Sequence, residues 1–217
     1  MKGLLVKDFR LMQQRKRFFL MMFIIAICLT FNTDGNFVVS YLTFIGAMFG
    51  MSTISYDEFD NCYPFLLSLP LSRQTYVKEK YLFGFLVGLG AWLAGTLLAV
   101  GYGIVKIPEF AVTEGIMTYL LYIPLAMLML DLVIPFQLKY GAERGRMVMI
   151  GVFGGVMALG YLLLWGLKRL GINLEETLNR LNSLDITLAE VAIFAVAAVV
   201  TAVSMAASFR IMKKKEF

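Results

Sequence analysis

The chain has 217 residues, a formal charge of +5, 59% hydrophobic residues and only 16% charged ones. A soluble domain carries about 25% charged residues, so there is too little polar side chain here to cover a soluble globule, and the long apolar blocks read as membrane spans. Histidine is absent, which excludes histidine-based metal sites, general bases and triads.

The opening segment, MKGLLVKDFRLMQQRKR, has helical periodicity. Met1, Leu4, Leu5, Phe9, Leu11 and Met12 gather on one side, with Lys2, Lys7, Arg10, Gln13 and Gln14 on the other. Asp8 and Arg15 intrude on the apolar arc, and Val6 on the polar one. The pattern predicts an interfacial helix over residues 1–17, its basic face turned to anionic headgroups. The apolar run that follows lacks a small-x-small cleavage pattern before LTFNTDGN and is expected to be a retained span.

Six apolar blocks follow in order: Phe18 to Phe31, Phe37 to Tyr56, Tyr81 to Val105, Gly115 to Phe136, Met147 to Leu167 and Ala189 to Phe209. A crossing helix needs about 20 such residues. Asn32 to Asn36 reads as a tight turn joining the first two. Loops are expected at Lys106 to Glu114 and at Gln137 to Arg146. The segment 168–188 is expected outside, with a short amphipathic helix capped by Asn173 with Glu176 three residues on. Placing the N-terminus inside puts sixteen Lys and Arg on the cytoplasmic face and four on the other. This strong bias agrees with the even number of spans. The expected fold is an all-α integral membrane protein of six transmembrane helices, with an N-terminal interfacial helix and both termini cytoplasmic.

Cys28 lies in an apolar block and Cys62 in a polar stretch, so they are not expected to pair. The glycines of span three suggest a helix contact face through Gly88, Ala91 and Gly95, and those of GVFGGVMALG, 151–160, are expected to serve close packing. That run has no lysine, and the chain has no GxxxxGK[ST] phosphate loop. Asp131, between Pro124 and Pro135, is an intramembrane acid and hence a functional candidate. A structural role, reaching water or pairing with Lys139, stays equally open.

The polar stretch between spans two and three, DEFDNCYPFLLSLPLSRQTYVKEKY, is unusual beside a membrane. Asp57, Glu58 and Asp60 are acids where cations are the norm. Pro64 fits the first turn of a short helix exposing Tyr63, Phe65, Leu66 and Leu69, which Pro70 stops. Ser72 is placed to cap a new helix through Thr75, Tyr76 and Lys80 into span three. Apolar side chains beside acids make a docking knob for another protein; the alternative is a loop whose apolar side lies back on the bilayer.

FLLSLPLSRQTYVKEKYL, Phe65 to Leu82, resembles the LPxSRxxxVxxKYL signature of small bacterial type-2 ATP-binding-cassette permeases, in the subgroup that exports peptides and related amphipathic compounds. KGLLVKDFRL resembles that family's opening. The resemblance implies a dimer, with a second copy or a paralogue, driven by a separate ATP-hydrolysing subunit. It implies that the cytoplasmic loop, 57–80, is the coupling element, with Asp57, Glu58, Asp60, Tyr63, Phe65, Leu66, Leu69 and Arg73 at the ATPase. It also implies that residues 1–17 are an elbow helix. No cofactor, metal or nucleic-acid partner is expected, only the ATPase, the partner permease and the bilayer. Three other functions compete with export. An immunity or sensor subunit that docks an ATPase is barely separable from an exporter. An ion-driven secondary transporter would want more midplane charges than Asp131. A membrane-embedded enzyme lacks its histidine and has no apparent Ser–Lys pair at mid-span.

Overall fold

The computed structural model describes residues 1–59, 72–106, 111–169 and 186–214, and every element among them is an α-helix. In chain order these are α1 (Lys2–Gln14), α2 (Lys16–Asn32), α3 (Gly35–Phe59), α4 (Arg73–Lys106), α5 (Val112–Leu120), α6 (Tyr122–Arg169) and α7 (Ile186–Lys214). Among the described residues four stretches are long and apolar enough to cross a bilayer: Gly35–Glu58, Arg73–Lys106, Val112–Gly141 and Glu190–Lys214. In α2 an apolar helix of 17 residues follows directly on α1. The expected short helices at 63–69 and 173–181 lie outside the described residues.

Local sequence explains where the helices stop. Arg15 alone separates α1 from α2, and its guanidinium lies 5.1 Å from the centre of the Tyr56 ring. After Asn32 the chain extends through Thr33, whose N–H still donates to Leu29, and α3 begins at Gly35. This is the tight turn expected at 32–36. Ser72 caps α4: its Oγ accepts the Thr75 N–H at 3.1 Å, as expected. The break at Leu121 precedes Pro124. The proline ring crowds the carbonyl four residues earlier and offers no N–H, so the ladder of helical bonds is interrupted there.

The loop expected at Gln137 to Arg146 is corrected by the structure. This stretch stays helical on both sides of one bend, Gly141, at φ 79° and ψ 174°. Its Lys, Glu and Arg residues are good helix formers; only the glycine adopts positive φ without strain. The Glu58 carboxylate presses against Gly141, where any side chain would collide.

The closest pairing is α3 with α4, and small residues make it. A Cβ added at Gly50 would lie 2.5 Å from the Gly84 Cα, and one at Gly46 would lie 2.5 Å from the Ala91 Cβ. Gly88 rests on Ala47, and Gly95 on Val39 and Leu42. The expected face of Gly88, Ala91 and Gly95 is therefore real, and its partner is the small-residue stripe of α3. Without a hydrophobic drive between lipid-immersed helices, such close approach supplies the van der Waals attraction. Among the described residues, a Cβ added at Gly151, Gly154 or Gly155 meets no atom within 4 Å, so the close packing expected at 151–160 is not made there. Cys28 is exposed and free.

Both ends of the chain lie at one end of the bundle. Asp8 of α1 bonds Lys80 near the start of α4, and the carbonyls of Met212 and Lys213 bond Arg73. At the other end the α2–α3 turn meets α5, where the Tyr119 hydroxyl packs on Gly35. Trp92 of α4 donates to the Tyr119 carbonyl there at 2.8 Å. At 34 residues, α4 is about 51 Å long at 1.5 Å per residue. That exceeds the roughly 30 Å hydrocarbon core by several turns.

Candidate functional site

Three helices each bring a pair of residues four apart, hence on one face, to the end of the bundle that holds the termini. These pairs are Leu4 and Asp8 on α1, Thr53 and Asp57 on α3, and Tyr76 and Lys80 on α4. Lys80 is fully buried, and its ammonium lies 2.6 Å from Asp8, 2.8 Å from Asp57 and 3.1 Å from Thr53. An ammonium has three hydrogens, so this one is fully used. The Tyr76 hydroxyl donates to Asp57 at 3.0 Å. Lys7, a third exposed, donates to the other Asp57 oxygen and sits 3.0 Å from Asp8. Leu4, Met51, Ile54, Tyr76 and Val77 bury the group in apolar surface.

The cluster explains two sequence features. Asp8 interrupts the apolar arc of α1 because that arc packs on the bundle and Lys80 waits beneath it. Asp57 was expected to face an ATPase, but it completes α3 at 3% exposure with its carboxylate taken by Lys7, Lys80 and Tyr76. It therefore holds the base of the segment 60–71 and leaves no carboxylate oxygen for an outside partner. Glu58 also belongs to α3 and faces Gly141. Arg73 opens α4, and its Nη1 donates to the Met212 and Lys213 carbonyls, 3.0 Å each. Carbonyls in a last helical turn have no intrahelical donor, so Arg73 caps α7. Asp60, Tyr63, Phe65, Leu66 and Leu69 lie outside the described residues. Of the expected set the structure thus brings Asp57 into the cluster and puts Arg73 on α7; sequence reading missed Lys7, Asp8, Tyr76 and Lys80.

Charge balance fixes how the cluster responds to acid. Burial pushes the Asp8 carboxyl up, but Lys80 and Lys7 together outweigh it and hold it below the ordinary value. A depressed carboxyl contributes stability that is complete above its unfolded value, about 4, and is lost as pH falls through the folded value. Thermal unfolding followed across acid pH should show a loss of stability beginning below about 4. D8N should remove part of that slope.

A second polar group ties α4, α6 and α7 together. Thr201, Ser204 and Ser208 share one face of α7, a polar stripe visible in the sequence at helical spacing. Thr201 donates to an Asp131 carboxylate oxygen at 2.7 Å, and the Tyr81 hydroxyl bonds Ser204 at 2.7 Å and Ser208 at 3.0 Å. Asp131 is 4% exposed, and its second carboxylate oxygen has no hydrogen-bond partner. Lys139 lies instead over the Tyr140 ring. Pro135 explains the remaining bond. Lacking an N–H, it cannot serve the Asp131 carbonyl four residues back, and Ser204 donates there in its place. S204A should cost about 1–3 kcal/mol by stranding that carbonyl. Adding P135A restores a backbone N–H, and the pair should regain part of the loss in thermal unfolding; a double variant no better than S204A would refute this account.

Among the described residues no group of three or more Cys, Asp or Glu is placed to hold a metal ion. The geometry holds helices together. No curated protein and no solved structure matches the chain. A family model, described as ABC-2 family transporter protein, matches residues 3–213. A helical chain matched over nearly its whole length in this way belongs to the ABC-2 transporter family, as a membrane permease subunit of an ATP-binding-cassette transporter.

Proposed function

We propose that the chain is the permease subunit of an ABC exporter, crossing the membrane six times with both termini cytoplasmic. In this reading α2 and residues 142–169 add two crossings to the four long apolar stretches. The positive-inside bias puts the ion cluster on the cytoplasmic side. A separate ATPase docks on the segment 60–71, and two permeases, identical or paralogous, form the path. The spans are strongly apolar, so amphipathic peptides or similar hydrophobic compounds suit it as cargo.

One observation carries the reading: both flanks of the segment 60–71 are clamped. Asp57 before it is bound to α1 and α4, and Arg73 after it is bound to the end of α7. A motor drives a pore only through a contact that differs between its nucleotide states. A push delivered between two clamped flanks reaches four helices at once.

The test is purification from the native host in mild detergent, with co-purifying proteins identified, for wild type and for F65D/L66D/L69D. A stoichiometric ATPase lost from the variant supports the docking role. Absence of any nucleotide-binding partner under several conditions would defeat it. The unpartnered Asp131 oxygen favours ion-driven transport as the second reading. Transport that survives D131N makes Asp131 structural and removes that alternative.

A further inference from the structure

The ion cluster holds three carboxyls but only two cations. Lys80 spends its three hydrogens on Asp8, Asp57 and Thr53, and Lys7 lies between Asp57 and Asp8. These four charges balance. The fifth group, Glu79, has zero exposure, and neither of its carboxyl oxygens has a hydrogen-bond partner. The Lys80 ammonium is 3.8 Å away, beyond hydrogen-bond reach and already saturated. Asp8 Oδ1 is ion-paired with Lys7 at 3.0 Å but accepts no well-aligned hydrogen bond, and the Glu79 carboxyl interacts with the Asp8 side chain directly.

An ionised Glu79 would be a buried charge with no counter-ion of its own and no donor, facing a like charge. Burial tolerates such a group only in its neutral form. We propose that Glu79 is a proton-binding site, its neutral carboxyl donating to Asp8 Oδ1 and leaving the cluster with two positive and two negative charges. The charged groups that act on it are Lys7 and Asp8 from α1 and Lys80 from α4, and Lys80 and Lys7 tie these in turn to Asp57 of α3. Removing the proton sets three negative charges against two positive ones. The repulsion falls on Asp8, the acidic member contributed by α1, so α1 loosens as pH rises. This does not depend on an ATPase docking at 60–71 and can fail or hold separately from the proposed function.

Infrared spectra of the full chain in lipid nanodiscs test it, with D131N and E190Q identifying any carboxyl band from those two buried acids. The expected result is a protonated-carboxyl band near neutral pH that is absent from E79Q. Amide exchange in α1, corrected for intrinsic rates, should accelerate at mildly alkaline pH in wild type and stay level in E79Q. If E79Q does not fold, 13C-glutamate labelling in the E190Q background shifts the same band without altering Glu79. A wild-type spectrum identical to E79Q, or no isotope-shifted band, overturns the proposal.

Discussion

Lys80→Met should unfold most of the protein or release α1 from the bundle. The substitution keeps the length of the side chain and removes its charge, leaving Asp8 and Asp57 buried with only the partly exposed Lys7 for both. Breaking a buried ion pair from one side costs about 3–5 kcal/mol, a large share of the roughly 5–15 kcal/mol that holds a folded domain together. The cost comes from the stranded carboxylates rather than from the lost attraction. D8L/K80M should therefore be more stable than K80M, because Lys7 and Asp57 still match each other and apolar replacements of buried pairs are often neutral. Intrinsic-fluorescence melts in detergent, read with elution profiles, decide the matter. K80M melting with wild type, or a double variant no better than K80M, would show that the cluster adds little.

Gly50→Leu should separate α3 from α4. Even the first carbon of the new side chain would stand 2.5 Å from the Gly84 Cα and 3.3 Å from its nitrogen. Both are backbone atoms, so no rotamer relieves the overlap and the helices must part. Overpacking costs about 1–3 kcal/mol where side chains yield; here the upper end is expected for Gly50→Ala and more for Gly50→Leu. Gly90, on the same helix as Gly84, has no atom within 4 Å of an added Cβ. Gly90→Ala should change stability by less than about 1 kcal/mol, the scale of the helix preference for alanine over glycine. Equal losses at Gly50 and Gly90 would mean that glycine itself, and not the close approach, matters in these helices.

The helical plan was legible because a bilayer enforces it: lipid-exposed backbone must satisfy itself, so apolar runs of sufficient length become helices. The Ser72 cap and the Gly88–Ala91–Gly95 face were legible because each depends on neighbours in sequence. The partners of Asp57 were not legible because they lie 50 residues before it, at Lys7, and 19 after it, at Tyr76. An acid near a membrane surface gives no sign of which way it points. Asp8 did carry a signal, since a lone charge on the apolar arc of an amphipathic helix implies a buried counter-charge. The target of Arg73 had none, because a backbone carbonyl is the same atom in every residue. Charge density suggested a loop around Gly141, yet charged residues mark the edge of a membrane as readily as the end of a helix. The glycines at 151–155 were read by composition, and composition does not say what a helix faces.

The pairing of Asp8 with Lys80, 72 residues apart, also orders the biosynthesis of the chain. At about 5–20 residues per second, α1 leaves the ribosome roughly 4 to 14 s before its counter-charge has been made. During that interval α1 has no bundle to join, and its basic face keeps it on the headgroups. Only when α4 arrives with Lys80 can Asp8 exchange water for an ammonium. Seating of the first helix is thus a late event that reports the correct arrival of the third and fourth, which carry Asp57 and Lys80. A chain stalled before residue 80 would display an unseated, amphipathic N-terminus to the quality-control machinery of the cell.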